Sequence, residues 1–283
     1  MSTDETNRSE RRTTVSRRGV LAASGGAFAV AAGRVGASEG ESSVSGRLSG
    51  RCPDATIRPS HGHCDGATMD GCADDHPETI AIQTEVKEVL DERYETVGDI
   101  VDDGFFPYFD TLDRSADGWS HWINPDYVGD DSILDPDRPE SILVDNHSWR
   151  AIGVMFVATI DGEPVEPPSL YGEGEPDENR CSPWHYHAGL PGRKAWWYYE
   201  NVHDGDGLPS SRLPCRTPCM MHVWTVEHPD GVHAHGGPPP EYRDEPVATE
   251  TGLDTAAVPG EDTLGWETLP DAVVRSHRGR RSE

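Results

Sequence analysis

A chain of 283 residues with 51 Asp and Glu against 24 Lys and Arg has a formal charge of −27. Such a surface lacks the basic footprint that a phosphate backbone needs, so nucleic acid is not an expected partner. The only lysines are Lys87 and Lys194; excess carboxylate with scarce lysine fits a halophilic protein kept soluble where salt screens self-repulsion.

Ser16-Arg17-Arg18-Gly19-Val20-Leu21 sets a twin-arginine pair before a small-residue stretch, Ala22 to Ala32, and Gly36-Ala37-Ser38 offers a cleavage point. Residues 1–37 therefore read as a Tat-type export signal, an address rather than an anchor. The stretch is too short to span a bilayer, and no other segment approaches ~18 consecutive apolar residues, so no transmembrane segment is expected. Without residues 1–37, 18 basic side chains face 48 acidic ones, a net charge of −30. Nine of the fifteen residues from Gly36 to Gly50 are Gly or Ser, which makes 38–51 a flexible linker. A single folded domain is expected over 52–237. Residues 238–283, Pro-rich and acidic, read as a mostly disordered tail with one docked turn around Trp266.

Cys52, Cys64 and Cys72 form one cysteine group, and Cys181, Cys215 and Cys219 another. In an exported chain they read as disulfides, with metal thiolates the minor alternative. Three per group cannot all pair locally, so a bridge links the groups or thiols stay free. One helix is expected from a cap at Asp75 through Pro77 and Glu78, with Ile82, Val86, Val89, Leu90, Tyr94, Val97 and Val101 at helical spacing and Gly104 as its stop. Residues 141–144, 151–160, 195–202 (AWWYYENV) and 220–228 read as strands. The expected fold class is α+β: an antiparallel sheet or small β-barrel with one N-terminal helix, flanked by disordered tails.

The segment CSPWHYHAGL (181–190) holds the most informative chemistry. On a strand, His185 and His187 share one face and Tyr186 takes the other. His222 and Trp224 share a face of the later strand, so His185, His187 and His222 can converge if the two strands are neighbours. Imidazole suits Zn, Cu and Fe, and three histidines with an open position recur in catalytic metal sites. One transition metal ion (Cu, Zn or Fe) is the cofactor these residues would take, with Trp184, Trp224 and Trp197 as walls or as plain core. His61-Gly62-His63 reads as a disulfide-tied loop with exposed histidines, and His233-Ala234-His235 as a loop at the domain edge. Cys219 ahead of His222 lacks the following Met of a blue-copper loop. A cupin pattern fails because Gly189 to Gly192 stand where its Glu is expected. No P-loop, dinucleotide fingerprint or nucleophile elbow is present.

Four elements in order, HWINPDYV (121–128), LDPDRPESIL (134–143), WHYH (184–187) and HVWTVEHPDG (222–231), resemble an uncharacterised family of exported proteins from halophilic archaea and actinobacteria. The resemblance covers roughly residues 85–235 and implies that His121 joins the other motif histidines as a fourth ligand. The expected site is thus His185, His187, His222 and His121, in a secreted metal-binding domain with a small-molecule ligand as a conceivable partner. One alternative is a mononuclear metal-dependent oxidoreductase or hydrolase acting on a small extracellular substrate, with Glu227, Tyr186 or His228 as proton-transfer group. The other is a cell-surface interaction module without metal.

Overall fold

The structure, a computed structural model, describes residues 51–64, 72–108, 111–113, 118–171, 182–202 and 213–274. The expected signal, the linker up to residue 50 and Cys181 lie outside the described residues. No described helix is long and apolar enough to cross a membrane.

The single expected helix is two. Helix α1 (Pro77–Arg93) starts on His76, whose Nδ1 accepts the Glu78 amide, so His76 rather than Asp75 is the cap. It stops at Tyr94, and α2 (Val97–Asp102) begins afresh. Thr96 and Asp99 form a reciprocal capping box, which supplies the amide partners a new helix start requires. The apolar spacing runs across this break because both helices bury the same side. Gly104, at φ +93°, ends the second helix rather than the first.

Seven strands make one antiparallel sheet: β1 (His61–His63), β2 (Phe106–Pro107), β3 (Trp119–Ile123), β4 (Ser141–Asp145), β5 (Arg150–Val157), β8 (His185–His187) and β9 (Met220–Trp224). Their order is β1-β8-β9-β5-β4-β3-β2. A small separate hairpin, β6 (Thr159–Ile160) and β7 (Glu163–Pro164), turns at Asp161-Gly162, both with positive φ. The α+β class with an antiparallel sheet is therefore present, and the sheet is open rather than a closed barrel.

This sheet is strongly curled. His121 on β3 and His222 on β9 lie three strand steps apart, ~14 Å in a flat sheet, yet their Nε2 atoms are 3.3 Å apart. The register shifts between Leu143 and Val144, and such bulges bend a strand. Gly153, opposite Trp224, adds room: a Cβ there would sit 2.6 Å from the Val223 carbonyl oxygen.

Each face of the curled sheet has its own core. Outside, α1 and α2 bring Val86, Leu90, Val97 and Ile100 against Trp122, Ile142, Val154, Phe156, Met221 and Val223. Inside, α4 (Leu190–Val202) lays Trp196 and Tyr199 among Leu143, Met155, Val157, Met220 and Trp224. With both faces covered, β4 and β9 are buried throughout. A short helix, α3 (Pro125–Val128), starts where Asn124 Oδ1 accepts the Asp126 amide. Two motif residues thus serve the fold: Asn124, and Glu140, whose buried carboxyl accepts the Val157 amide at 3.1 Å.

Two expectations change here. Residues 195–202 are helix, not strand. Trp196 stacks at a tilt on Tyr199 and donates Nε1–H to Glu200, the i+3 and i+4 neighbours of a helix surface. The strand preference of aromatic residues is worth at most ~1 kcal/mol, less than the ~1.5–3 kcal/mol from burying each large side chain. Residues 238–274, expected as part of a disordered tail, run along the domain. Ala248, Leu264 and Leu269 are buried, and the amides of Ala248, Gly260 and Leu264 donate to the carbonyls of Ser148, His147 and Asn146. Trp149 Nε1 donates to the Asp262 carbonyl, and Trp266 packs half-buried against the outer core. The strap is irregular, held by backbone bonds to turns, so no apolar period marks it. Residues 275–283 lie outside the described residues.

Disulfides Cys52–Cys215 and Cys64–Cys219 join the two cysteine groups twice, and Cys72 is also disulfide-bonded. Such bonds fit an oxidising compartment.

Candidate metal centre

The inner face of the sheet collects histidines by strand alternation. On β8, His185 and His187 point inward, while Tyr186 packs against the outer core under Arg216. Strand β1 pairs with β8 in the register His61↔His187 and His63↔His185, so these two residues share the inner face. The stretch expected as a loop is an edge strand beside β8, tied across it to the start of β9 by Cys64–Cys219. His121 and His222 come from β3 and β9.

The seventh histidine arrives from a loop. After β9 the chain folds back: Trp224 N–H donates to the Val232 carbonyl, and Trp224 Nε1–H and the His222 Nδ1 side both meet the Ala234 carbonyl. His233 Nδ1 bonds the His222 carbonyl and its ring turns toward Tyr171. His235, two residues on, then swings inward, with ring centroids 4.6 Å from His185 and 5.0 Å from His187.

One ring nitrogen from each of His185, His187 and His235 lies within 4.8 Å of the other two. Two imidazoles on one tetrahedral ion sit ~3.3 Å apart at metal–nitrogen distances of ~2.0–2.1 Å. A small side-chain rotation closes the difference, so the group is close enough to hold an ion. The structure thus brings together His185 and His187 as expected, but the third member is His235. His222 pairs instead with His121, Nε2 to Nε2 at 3.3 Å. The H-x-H spacing at 233 and 235 was the available signal for His235; the turn that aims only the second histidine inward has no sequence signature.

Burial decides the charge of these rings. His185 is held well below the usual histidine range, first by burial and then by His222, His235, His187 and His61. His222 is pushed down to about 3 by burial and His235, and His235 to about 3 by burial, His187 and His61. All three are neutral imidazoles at neutral pH, the form that donates a lone pair to a metal. His185 Nε2 is buried with no hydrogen-bond partner among the described residues, a penalty of ~1–3 kcal/mol that a bound cation would relieve.

Two cavities open on the cluster. One of about 430 Å³ is lined by Trp119, His121, His187, His222, His235 and the Gly236–Pro240 turn. The other, about 510 Å³, is bounded by Tyr108, Met155, Pro191, Ala195 and Met220, with His61, His121, His187 and His235 on its polar side. Gly192 makes this packing possible: a Cβ there would lie 2.5 Å from that of His187. Trp224 and Trp119 meet edge to face at 5.1 Å beside His121 and His222. Trp184 belongs to the outer core.

The other expected participants stand elsewhere. Glu227 is exposed beside α1 and Tyr186 faces the outer core, so neither attends the cluster. His228 bonds the Gly236 carbonyl at 3.0 Å. Cys219 is held by Cys64, which removes the thiolate a blue-copper site would require. No family model, curated protein or solved structure matches the chain.

Proposed function

We propose that the chain is an exported, halophilic metal-binding domain that holds a transition metal ion (Cu, Zn or Fe) between His185, His187 and His235. The observation that carries this reading is the convergence of three neutral imidazoles within 4.8 Å, one of them with a buried, unpartnered nitrogen. An all-nitrogen ligand set suits these ions better than Mg or Ca, which take oxygen. Export by the twin-arginine route is supported by Arg17-Arg18 and by the disulfides. The motif resemblance belongs to the same reading, since three of its four elements place His121, His185, His187 and His222 on one face.

The test is metal content of the chain folded in concentrated salt, before and after chelation. Re-addition of Cu, Zn or Fe is expected to restore one ion at this group, and His185→Ala or His235→Ala to weaken its retention at least tenfold. Wild-type protein that takes up none of the three would end the reading.

A second reading makes the site catalytic on a small extracellular substrate. It is favoured by the two cavities, because His187 and His235 line both and leave the ion approachable. A small apolar molecule with one donor group fits the larger cavity. Displacement of metal-bound water by such molecules, seen as a shift in the metal's visible spectrum, is the expected sign; a spectrum indifferent to every added ligand would rule this reading out.

A further inference from the structure

The pairing of His121 with His222 is not explained by an ion at His185, His187 and His235. The Nδ1 of His222 lies 3.2 Å from the Ala234 carbonyl, which can only accept, so Nδ1 carries the proton. His222 is buried (3 % exposed), and in its neutral ring the other nitrogen, Nε2, has no proton of its own. Its Nε2 is therefore a lone pair and accepts the Nε2–H of His121 at 3.3 Å, a shared proton that a cation would replace. That separation matches the ~3.3 Å edge between two nitrogens on a tetrahedral ion.

We propose that His121 and His222 anchor a second transition metal ion, so that the inner face of the sheet carries a two-metal centre. This rests on the reading of His185, His187 and His235 as the first site. The His222 ring centroid lies 5.3 Å from that of His185 and 6.1 Å from that of His235, so the two ions are close neighbours. The cavity of about 430 Å³ touches both sets, with His187 and His235 from one and His121 and His222 from the other. Oxygen donors from solvent or substrate in that space would supply the second ion's remaining ligands, and such paired ions would act together on one oxygen. Two protein ligands make this ion the weaker and more exchangeable of the two. The curl of the sheet creates the site, since only a rolled sheet brings β3 to β9.

The experiment is a Cu(II) titration of the metal-stripped full-length chain in concentrated salt, with bound metal counted after gel filtration and electron paramagnetic resonance recorded at each step. Wild type is expected to retain two ions, the resonance growing with the first equivalent and broadening or falling with the second as the spins couple. His121→Ala is expected to retain one ion with an ordinary mononuclear spectrum, and His235→Ala to retain less than two with no coupling. One ion in both wild type and His121→Ala overturns the second site and leaves the first standing. A wild type that retains only one ion, lost in His121→Ala, overturns it in favour of one shared ion. Two uncoupled ions overturn it by placing the second elsewhere, and no ion at all overturns both readings. The wild-type spectra decide the matter even if a variant does not fold.

Discussion

His61 lies flat against His235, their ring centroids 4.0 Å apart and their planes 11° from parallel. One residue comes from the first strand of the domain and the other from the loop after its last strand. The contact therefore closes the metal cluster from an edge strand that pairs with β8 and is tied to β9 by the Cys64–Cys219 disulfide. A stacked ring pair is worth ~0.5–1.5 kcal/mol, so His61→Ala is expected to lower metal affinity about 2- to 10-fold. Competition against a chelator of known affinity measures this, and unchanged retention would show that the stack does not position His235.

Loss of the disulfide acts more strongly. With Cys52–Cys215 intact, the Cys64–Cys219 bond closes a loop of only 12 residues from Cys52 to Cys64 plus 4 from Cys215 to Cys219, for which the chain-entropy account gives ~3 kcal/mol. The double substitution Cys64→Ala/Cys219→Ala is expected to lower the denaturation midpoint accordingly and to release β1. Hydrogen exchange at residues 61–63 should then rise well above that of β9. Protection of β1 equal to wild type would show that pairing with β8 suffices.

Stability of the metal-free chain should depend on pH with opposite signs on the acid and alkaline sides. His185, His222 and His235 have lowered pKa values, so the unfolded chain binds protons near pH 6.5 that the folded chain refuses until far lower, about pH 3 for His222 and His235. Acidification from pH 6.5 to 5.5 thus removes about 1 kcal/mol for each of these histidines. Glu140 runs the other way: burial pushes its carboxyl up to about 8. It stays protonated in the fold while the unfolded carboxyl ionises above its ordinary value of 4.5. Its contribution is lost as pH rises toward 8, at up to ~1.4 kcal/mol per pH unit. Below pH 6.5 these histidines, together with His233, which burial also lowers, outweigh one carboxyl, and Glu140 prevails once the unfolded histidines have lost their protons, so maximal stability is expected between roughly pH 6.5 and 7. Glu140→Gln should flatten the alkaline side and steepen the acid side, where the carboxyl no longer opposes the histidines; denaturant midpoints from pH 5 to 8.5 check both.

Residues 238–274 should be required for folding. Arg243, from this strap, is buried against Asp145, with Nη1 3.0 Å from Oδ1 and 2.6 Å from the Gly118 carbonyl. Removing one member of such a pair leaves an uncompensated charge, at ~3–5 kcal/mol. Asp145→Ala is expected to destabilise by that amount. Asp145→Leu with Arg243→Met should recover most of it, because no charge is then left alone. A chain ending at residue 237 should lose the cooperative thermal transition seen by circular dichroism, and a transition like that of the full chain would show the strap to be dispensable.

Residues with local consequences were legible in the sequence. Helical spacing marked α1, alternation put His185 and His187 on one face, and β-branched runs marked β4 and β5. These features depend on neighbours within a turn or a strand, where period and propensity act directly. What depended on the rolling of the sheet was not legible. The Leu143–Val144 bulge and the absent side chain at Gly153 turn three strand spacings into a 3.3 Å contact between His121 and His222. The fold-back after β9 replaced His222 by His235 in the close trio, because bonds to the Val232 and Ala234 carbonyls fix the loop, and backbone acceptors leave no pattern in the sequence. Residues 195–202 became helix because burial of Trp196 and Tyr199 outweighs a strand preference. The sequence alone determined which residues could bind a metal and on which strand faces they stand; the tertiary structure decided which of them meet, because that follows from curvature and long-range packing rather than from period.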